Sequence, residues 1–289
     1  MNTIAALLAE SVTLNACSDT PRLDTEILLA HSIGKPRSYL YTWPERTLTD
    51  SQTENFRRAL HRRKQGEPIA HITGFRDFWN LTLSVTSDTL IPRPETETLV
   101  EQALQAGDRM LSGNAGGILD VLDLGTGTGA IALAIASEKP QWQITAVDRF
   151  PDVVALAESN RQNNEINNVT VYQSDWFENI SGQFDLIVSN PPYIDGNDPH
   201  LKQGDVRFEP LSALVSGEGG LSDLCLIIEQ ARSYLRPDGY LLLEHGFDQG
   251  EQVRQLLAKS GYTEVDTVND LGGNPRVTLG RFNQITINT

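Results

Sequence analysis

The feature that most constrains the fold is a repeated alternation of strand and helix patterns that starts near residue 95. Short apolar runs typical of buried strands alternate there with longer segments of helical periodicity. This alternation predicts an α/β fold, in which helices cover both faces of a mostly parallel sheet. The predicted strands are 118–124, 142–147, 169–172, 184–188 and 240–244, and the predicted helices are 96–111, 130–136, 153–163, 221–235 and 249–259.

The first ninety residues follow a different pattern. Apolar residues recur at helical spacing in short segments, including one over 51–64, and an alternating pattern over 75–85 predicts a β-hairpin. Residues 1–90 hold equal numbers of acidic and basic side chains, so the formal net charge of −15 lies in the remainder. We therefore predict a helical domain over 1–73, a hairpin linker over 74–90 and an α/β domain over 91–289.

Composition and charge argue against several classes of protein. A net charge of −15 disfavours affinity based on neutralising nucleic-acid phosphates. Cys17 and Cys225 are too few and too far apart for a disulfide framework or a cysteine metal site, and we predict no metal. No apolar run approaches the roughly 18 residues of a membrane span, and the first ten residues lack secretory-signal features. We expect a cytoplasmic protein.

A glycine-rich turn follows the first predicted strand of the α/β part and opens the next helix. Its residues are Gly125-Thr126-Gly127-Thr128-Gly129, a GxGxG spacing that differs from the GxGxxG of dinucleotide-binding proteins. Asp148 ends the following strand, where a carboxylate can accept both ribose hydroxyls of an adenosine. The helix N-terminus beside the turn would then face a carboxylate group of the ligand. Asp123, just before the turn, either orients the loop or meets a ligand ammonium group.

The third strand of the α/β part ends at Ser174-Asp175-Trp176. In this architecture ligands bind at the carboxyl ends of the strands, so this end is expected to border an adenine ring. Asp175 can accept a hydrogen bond from the exocyclic amine, and Trp176 can pack on the ring. An exposed aspartate and a partly buried tryptophan without a ligand remain the alternative.

The most informative stretch is Asn190-Pro191-Pro192-Tyr193, which follows the fourth strand of the α/β part. A planar amide or aromatic amine is a poor nucleophile because its lone pair is delocalised, so an enzyme must hold its N–H bonds with fixed acceptors. The Asn190 side-chain oxygen and the Pro191 carbonyl are two such acceptors, and the prolines stiffen the turn. Tyr193 can stack on the planar target. The pattern therefore predicts methyl transfer to an –NH2 group, with catalysis by positioning.

With this element, four further segments resemble one family over nearly the whole chain. They are 67–74, 90–97, 209–221 and 270–276, of which Pro275 is a small departure from the family pattern. Together they make the chain similar to the class I methyltransferases, and within them to the protein-(glutamine-N5) methyltransferases that act on release factors. The resemblance implies a Rossmann-like methyltransferase sheet preceded by a small helical domain that helps to grip the release factor.

The resemblance also implies a substrate, a cofactor and site residues. The substrate would be the glutamine of a Gly-Gly-Gln motif in a peptide-chain release factor. The cofactor would be S-adenosyl-L-methionine, converted to S-adenosyl-L-homocysteine, and the enzyme is expected to be a monomer. Arg93 and the range Glu95 to Glu97 are weaker candidates, because a surface helix start with an N-terminal acid bias explains them as well. Cofactor contacts are expected at Gly125, Thr126, Gly127, Thr128, Gly129, Asp148, Asp175, Trp176 and Asn190, substrate contacts at Asn190, Pro191, Pro192 and Tyr193, and catalytic roles at Asn190, Pro191 and Tyr193.

Three alternatives remain open from the sequence. A nucleic-acid methyltransferase acting on adenine or guanine amines would share the Asn-Pro-Pro-Tyr element, as would a glutamine methyltransferase of a ribosomal protein. Against the first stands the acidic charge, because the one basic cluster, 57–64, is interpreted as a solvated helix face. In a module that binds a nucleotide without turnover, Asn190 and the two prolines after it would have no function. His245 is interpreted as a buried strand-end residue.

Overall fold

The computed structural model describes residues 2–112 and 116–283, and these fold into two compact units. The smaller unit comprises the chain up to Phe75 together with the segment His200–Phe208. The larger unit comprises Arg76–Pro199 and the chain from Glu209 onward. No sequence feature signalled that nine residues from the second half of the chain belong to the first unit. Within the described ranges, no helix combines the length and hydrophobicity that a membrane span requires.

Short helices build the smaller unit around an apolar core that includes Phe56. The helix predicted over 51–64 is confirmed, and its start is a capping box in which Thr49 and Gln52 exchange side-chain and backbone hydrogen bonds. Another helix begins at Pro21 and ends before Gly34, which takes a φ of +62°. The helices are α1 (Ile4–Leu8), α2 (Pro21–Ile33), α3 (Arg37–Thr42), α4 (Asp50–Lys64) and α5 (Ile69–Thr73).

The basic cluster at the end of α4 is engaged in ion pairs within this unit. Arg63 is buried and donates to Asp24 at 2.7 Å and to Asp205 at 3.0 Å, which fixes the segment His200–Phe208. The interpretation of the cluster as a solvated helix face is therefore wrong for Arg63, whose guanidinium is enclosed. It holds for the more exposed members, which also have acidic partners. These pairs are Arg57 with Glu10, Arg58 with Glu54 and Arg62 with Glu67.

A seven-stranded sheet forms the centre of the larger unit, in the order β10-β11-β9-β6-β3-β4-β5. Five strands are parallel, and β11 and β10 add an antiparallel edge. Two two-stranded sheets, β1-β2 and β7-β8, accompany it. The strands are β1 (Phe75–Phe78), β2 (Leu81–Ser84), β3 (Asp120–Leu124), β4 (Gln143–Asp148), β5 (Val169–Gln173), β6 (Phe184–Ser189), β7 (Ile194–Asp195), β8 (Val215–Ser216), β9 (Leu235–Glu244), β10 (Tyr262–Asn269) and β11 (Pro275–Phe282).

Helices cover both faces of the sheet, which confirms the predicted α/β architecture. Neighbouring strand residues point to opposite faces, so Val121 packs in one apolar core and Leu122 in the other. The first core includes residues of α6 and α7, and the second includes residues of α10 and α11. The helices, of which α9 is a single turn whose last three residues have positive φ angles, are α6 (Glu97–Met110), α7 (Ala130–Glu138), α8 (Pro151–Asn163), α9 (Gly217–Gly220), α10 (Ser222–Ala231) and α11 (Gly250–Lys259).

The fold differs from the sequence prediction where the chain passes from α10 to β9. A helix was predicted over 221–235, but α10 ends at Ala231 and β9 begins at Leu235. Residues 234 and 235 pair instead with the start of β6: Leu235 is the partner of Phe184, whose N–H donates to the Tyr234 carbonyl at 2.8 Å. The hairpin predicted over 75–85 is confirmed as the pair β1 and β2.

The chain order of the strands defines where a ligand site belongs. From β3 the chain moves through β4 to β5 on one side, and it then returns to place β6 and β9 on the other side. The order of the strands therefore reverses at β3. In open α/β sheets the crevice beyond the carboxyl ends of the strands at such a reversal is the usual ligand site.

Candidate active site

A cleft in the larger unit lies at the carboxyl ends of β3, β4, β5 and β6, where the sequence motifs were expected to meet. Polar groups and aromatic rings share its wall, as is typical of small-molecule sites. Arg93 and Thr96, from the segment before α6, also contribute to the wall. The predicted site residues that line the cleft are Gly125, Thr126, Gly127, Thr128, Asp148, Asp175, Trp176, Asn190 and Pro192.

The glycine loop after β3 has the backbone conformation that its sequence predicts. Gly125, Gly127 and Gly129 all take positive φ angles, of 69°, 57° and 85°. A Cβ atom on Gly125 would be in ordinary contact with the Trp176 ring, at 3.4 Å, so the positive φ rather than a lack of space favours glycine there. Gly129 caps α7 at its N-terminus rather than lining the cleft.

Asp123 lies beneath this loop and is fully buried. Its Oδ2 accepts hydrogen bonds from the Thr126 hydroxyl at 2.6 Å and from the Ala132 backbone N–H at 3.2 Å. Burial raises the pKa of this carboxyl to about 7. Asp123 does not line the cleft. Of the two interpretations that the sequence left open, the geometry therefore favours a residue that orients the loop.

The carboxylate of Asp148, at the end of β4, is held by backbone donors. The Gly127 N–H donates to Oδ2 at 3.1 Å, and the Phe150 N–H donates to Oδ1 at 3.2 Å. Burial raises the pKa of the Asp148 carboxyl, and the two backbone hydrogen bonds oppose that shift. One side chain thus connects the glycine loop to the end of the neighbouring strand, with its oxygens at the cleft wall.

Trp176, after β5, occupies a strained backbone conformation. Its φ angle of 45° lies in the left-handed region, which costs a non-glycine residue about 1–2 kcal/mol. The Ser174 hydroxyl donates to the Trp176 carbonyl at 2.8 Å and so holds the turn in place. Asp175 between them is exposed at the cleft. Strain of this kind persists where the surrounding structure imposes it, and it is concentrated at functional sites.

Asn190 follows β6, every residue of which is buried. Its Nδ2 donates to the Thr96 hydroxyl at 3.3 Å. Because the nitrogen of the carboxamide is engaged in this way, Oδ1 is left to accept hydrogen bonds from a ligand. Asn190 lines the cleft together with the glycine loop and Trp176.

The other members of the Asn-Pro-Pro-Tyr turn are placed differently from one another. Pro192 lines the cleft, whereas Pro191 is buried behind it. The Tyr193 ring packs against the apolar core on one face of the sheet, and its hydroxyl donates to Glu244 at 3.4 Å. Tyr193 is therefore not one of the described residues that form the cleft wall. We had expected its ring to stack on the target. Burial raises the pKa of its phenol.

Gly220 supports the turn from behind, and this leads to a prediction. A Cβ atom on Gly220 would lie 2.2 Å from the Tyr193 carbonyl oxygen, whereas a Cβ on Gly219 would meet nothing within 4 Å. Gly220→Ala should therefore displace the turn and lower the rate of the methyl transfer predicted from the sequence by about 10-fold, because small misplacements of reacting groups are costly. Steady-state kinetics would measure the loss.

Gly219→Ala is the matched control for this prediction. Both glycines have positive φ angles, of 70° and 87°, so both substitutions add similar backbone strain. The control should retain a rate within about 2-fold of the unsubstituted enzyme. Equal losses in the two variants would show that strain, and not displacement of the turn, is responsible.

Several polar residues of the site were missed or underrated in the sequence. Arg93 donates to both carboxylate oxygens of Glu209, at 2.8 and 2.7 Å, and so joins two segments beside the cleft. Thr96 and Glu244 were not recognised as partners of the Asn-Pro-Pro-Tyr turn. The available sequence signal for Glu244 was its position as a carboxylate at the end of the apolar strand β9. His245 is buried, as interpreted from the sequence, and bonds to Gly246 and Thr278.

The fold and this site together define the protein as a class I methyltransferase. A family model described as "Methyltransferase small domain" matches residues 103–207, and one described as "PrmC N-terminal domain" matches residues 6–74. A methyltransferase from Pyrococcus furiosus has a similar fold, with a TM-score of 0.52 and 18% identity. That similarity covers 78% of this chain and 99% of the other.

Curated relatives identify the family within this class. A release factor glutamine methyltransferase of Salmonella typhimurium is 56% identical over 276 residues, which are 95% of this chain and 97% of the relative. A protein of the same description from Escherichia coli is 53% identical over 278 residues, which are 96% of this chain and 98% of the relative. The chain belongs to the release factor glutamine methyltransferase family.

Proposed function

We propose that this enzyme transfers a methyl group from S-adenosylmethionine to the side-chain amide nitrogen, N5, of the glutamine in the Gly-Gly-Gln motif of release factors. The observation that carries the proposal is the placement of Asn190. It stands at the cleft with its nitrogen bonded to Thr96, so its oxygen is the atom left for a donor. A glutamine carboxamide presents such N–H donors. The descriptions of the curated relatives support the same substrate.

The residues around the cleft fit an adenosine cofactor. Gly125 and Gly127 contribute to the cleft wall without side chains, so a ligand can approach the backbone of the loop, and the fixed carboxylate of Asp148 is a suitable acceptor for ribose hydroxyls. Trp176 provides an aromatic surface for the adenine, and Asp175 an acceptor for its amine. When bound, S-adenosylmethionine supplies the electrophilic methyl group. Among the residues that the structure describes, no cluster of three or more His, Cys, Asp or Glu side chains is arranged to hold a metal ion.

The task of the protein is then to position a weak nucleophile. In our proposal the Asn190 Oδ1 and the Pro191 carbonyl accept the two N–H bonds of the glutamine carboxamide and direct its nitrogen toward the methyl group. Pro191 and Pro192 restrict the backbone of the turn, so the two acceptor oxygens keep their direction. Substrate binding then loses little conformational entropy in the turn. Orientation of this kind can contribute about 7–11 kcal/mol to lowering a barrier. Tyr193 would act by anchoring the turn to Glu244.

The charge distribution favours a protein substrate over a nucleic acid. The net charge of −15 would repel phosphates, and the arginines of the basic cluster on α4 are each paired with an acid.

We further propose that residues 1–73 help to grip the release factor, that 74–90 form the linker and that 91–289 carry the chemistry. We also propose that the enzyme is a cytoplasmic monomer, as expected from the sequence. Light scattering would test the oligomeric state.

Labelled cofactor and separate candidate substrates test the function directly. The enzyme is incubated with a purified release factor, with ribosomal proteins, with tRNA, with rRNA and with DNA. We expect label only in the release factor, and mass spectrometry should locate one added methyl group on the Gly-Gly-Gln glutamine. A release factor whose motif glutamine is replaced by alanine is the matched control and should stay unlabelled. Label in a nucleic acid or a ribosomal protein, but not in the factor, would overturn the proposal.

A further inference from the structure

Residues 85–95 of the larger unit form a crossing segment that runs along the cleft between two anchored ends. At one end, Asn160 of α8 donates to the Ser84 carbonyl at 3.0 Å and to the Thr128 carbonyl of the glycine loop at 2.9 Å. At the other end, Thr96 accepts a hydrogen bond from Asn190 at 3.3 Å. The crossing segment therefore connects the glycine loop with the turn after β6. Its residues in the cleft wall are Asp88, Thr89, Leu90, Pro92 and Arg93.

Thr89, in the crossing segment, carries a buried hydroxyl group without a partner. The residue is 2% exposed, and its Oγ1 has no hydrogen bond to any residue that the structure describes. Other hydroxyls of the cleft wall are bonded within the protein, since Thr126 donates to Asp123 and Ser174 to the Trp176 carbonyl. A buried hydroxyl without a partner destabilises the folded protein. Such groups are rare, so this one calls for a partner outside the protein chain.

The proposed placement of the cofactor leaves its amino-acid end to the crossing segment. Asp148 and Asp175, which are proposed to bind the ribose and the adenine, follow β4 and β5 on one side of β3. The methyl group has to reach Asn190, which follows β6 on the other side of β3. The sulfonium and the amino-acid end attached to it are therefore expected in front of the glycine loop, where the crossing segment passes.

We propose that the Thr89 hydroxyl donates a hydrogen bond to the α-carboxylate of S-adenosylmethionine. The inference rests on the proposed function, and it gives the unpaired hydroxyl a ligand atom as its partner. A hydrogen bond to an ionised acceptor is stronger than one between neutral groups. Arg93 of the same segment also lines the cleft, and its Nη2 bonds to Glu209, which fixes this cation beside the anionic end of the ligand.

The hydroxyl is enclosed in the structure, and a rotation about the Cα–Cβ bond brings it to the ligand. Threonine carries a methyl and a hydroxyl group on the same carbon, and a change between staggered rotamers exchanges their positions. For Thr89 this rotation breaks no hydrogen bond to any described residue. A carboxylate in the cleft then supplies the partner that the protein lacks, so the satisfied hydroxyl contributes to the affinity for the cofactor.

Calorimetry with three ligands tests this contact. The ligands are S-adenosylmethionine, decarboxylated S-adenosylmethionine, which lacks only the α-carboxylate, and 5′-methylthioadenosine, which lacks the whole amino-acid end. Thr89→Val keeps the shape of the side chain and removes the hydroxyl. We expect this variant to bind S-adenosylmethionine about 10- to 100-fold more weakly than the unsubstituted enzyme does. Its affinities for the other two ligands should stay within about 2-fold, because they lack the proposed partner of the hydroxyl.

Two further variants serve as controls. Thr89→Ser keeps the hydroxyl and should bind S-adenosylmethionine within about 3-fold of the unsubstituted enzyme. Thr170→Val makes the same change as Thr89→Val at an exposed position of β5, which is not among the described residues that line the cleft. It should bind all three ligands normally. A serine variant at position 89 that binds as weakly as the valine variant would contradict the inference, because the two differ in the required hydroxyl.

The thermal stability of the ligand-free protein separates ligand binding from packing. Thr89→Val removes an unpaired buried hydroxyl and keeps the volume of the side chain, so its Tm should be equal to or higher than that of the unsubstituted protein. Weaker binding of S-adenosylmethionine without a loss of Tm is the expected result. A lowered Tm together with weaker binding of all three ligands would show that Thr89 acts by packing, and would overturn the inference.

The same titrations separate this inference from the proposed function. Unchanged binding of S-adenosylmethionine by Thr89→Val would overturn the inference, and so would equal losses for S-adenosylmethionine and its decarboxylated form, because the contact would then lie elsewhere on the cofactor. If the unsubstituted protein binds none of the three ligands, the proposed function fails. Binding of S-adenosylmethionine without labelling of a release factor would refute the proposed substrate and leave the Thr89 contact in place.

Discussion

Asn190→Ala should lower the rate of methyl transfer to a release factor by about 1,000-fold or more while leaving the affinity for the cofactor nearly unchanged. The substitution removes the side-chain oxygen that is proposed to accept an N–H of the target carboxamide, together with the nitrogen that bonds to Thr96. Without that acceptor, the target carboxamide loses one of the two contacts proposed to orient its nitrogen, and orientation is the main source of catalysis in this mechanism. Single-turnover kinetics at saturating cofactor would give the rate, and calorimetry the affinity.

A control with the same chemistry is present elsewhere in the larger unit. Asn167 is exposed and outside the cleft, so Asn167→Ala should leave both quantities unchanged. Asn190→Asp is also informative, because it keeps an oxygen and replaces the –NH2 group that bonds to Thr96. It should be slower than the unsubstituted enzyme, since a carboxylate facing the Thr96 oxygen cannot donate to it. Turnover at the normal rate in Asn190→Ala would remove the basis of the proposed mechanism.

The second large effect is expected at the cofactor. Asp148→Ala should weaken binding of S-adenosylmethionine by about 100-fold, or roughly 2.7 kcal/mol. The carboxylate is proposed to accept the ribose hydroxyls, and it also accepts the Gly127 N–H, so its loss removes ligand contacts and loosens the glycine loop. Calorimetry with S-adenosylhomocysteine would measure the change without turnover.

Asp152 provides the comparison for this effect. It is an exposed acid in the first turn of α8, four residues beyond Asp148, and it does not line the cleft. Asp152→Ala removes the same charge from the same region and should leave the affinity within about 2-fold. An Asp148→Ala variant that binds the product as tightly as the unsubstituted enzyme would refute the ribose contact.

The effects of the Asn190 and Asp148 substitutions should be independent of each other. Their independence tests whether the two residues contact different ligands in the cleft. Asn190 lies at the end of β6 and Asp148 at the end of β4, on opposite sides of β3. If one serves the substrate and the other the cofactor, the double variant should show both losses with little coupling between them. A large coupling energy would mean that both act on the same ligand.

Most elements of the larger unit could be predicted from local patterns. The strands from β3 to β6 are apolar runs, and each is followed by a polar motif that the structure places at the same edge of the sheet. The end of α10 was predicted too late, because the pairing of Leu235 with Phe184 of β6 is a contact between residues far apart in the sequence. The segment His200–Phe208 escaped prediction because it is held by Arg63, more than a hundred residues earlier in the chain.

By itself, the sequence determined the parallel sheet, the glycine loop and the turn that begins at Asn190, because each depends on residues that are neighbours along the chain. Only the tertiary structure decided which residues hold this turn in place. Asn190 donates to Thr96 and Tyr193 donates to Glu244, two partners that lie 94 and 51 positions away in the sequence. The packing of β9 beside β6 brings Glu244 to the turn, and the segment before α6 adds Thr96. Hydrogen bonds between such distant residues leave no periodic pattern along the chain, so three-dimensional packing alone reveals them.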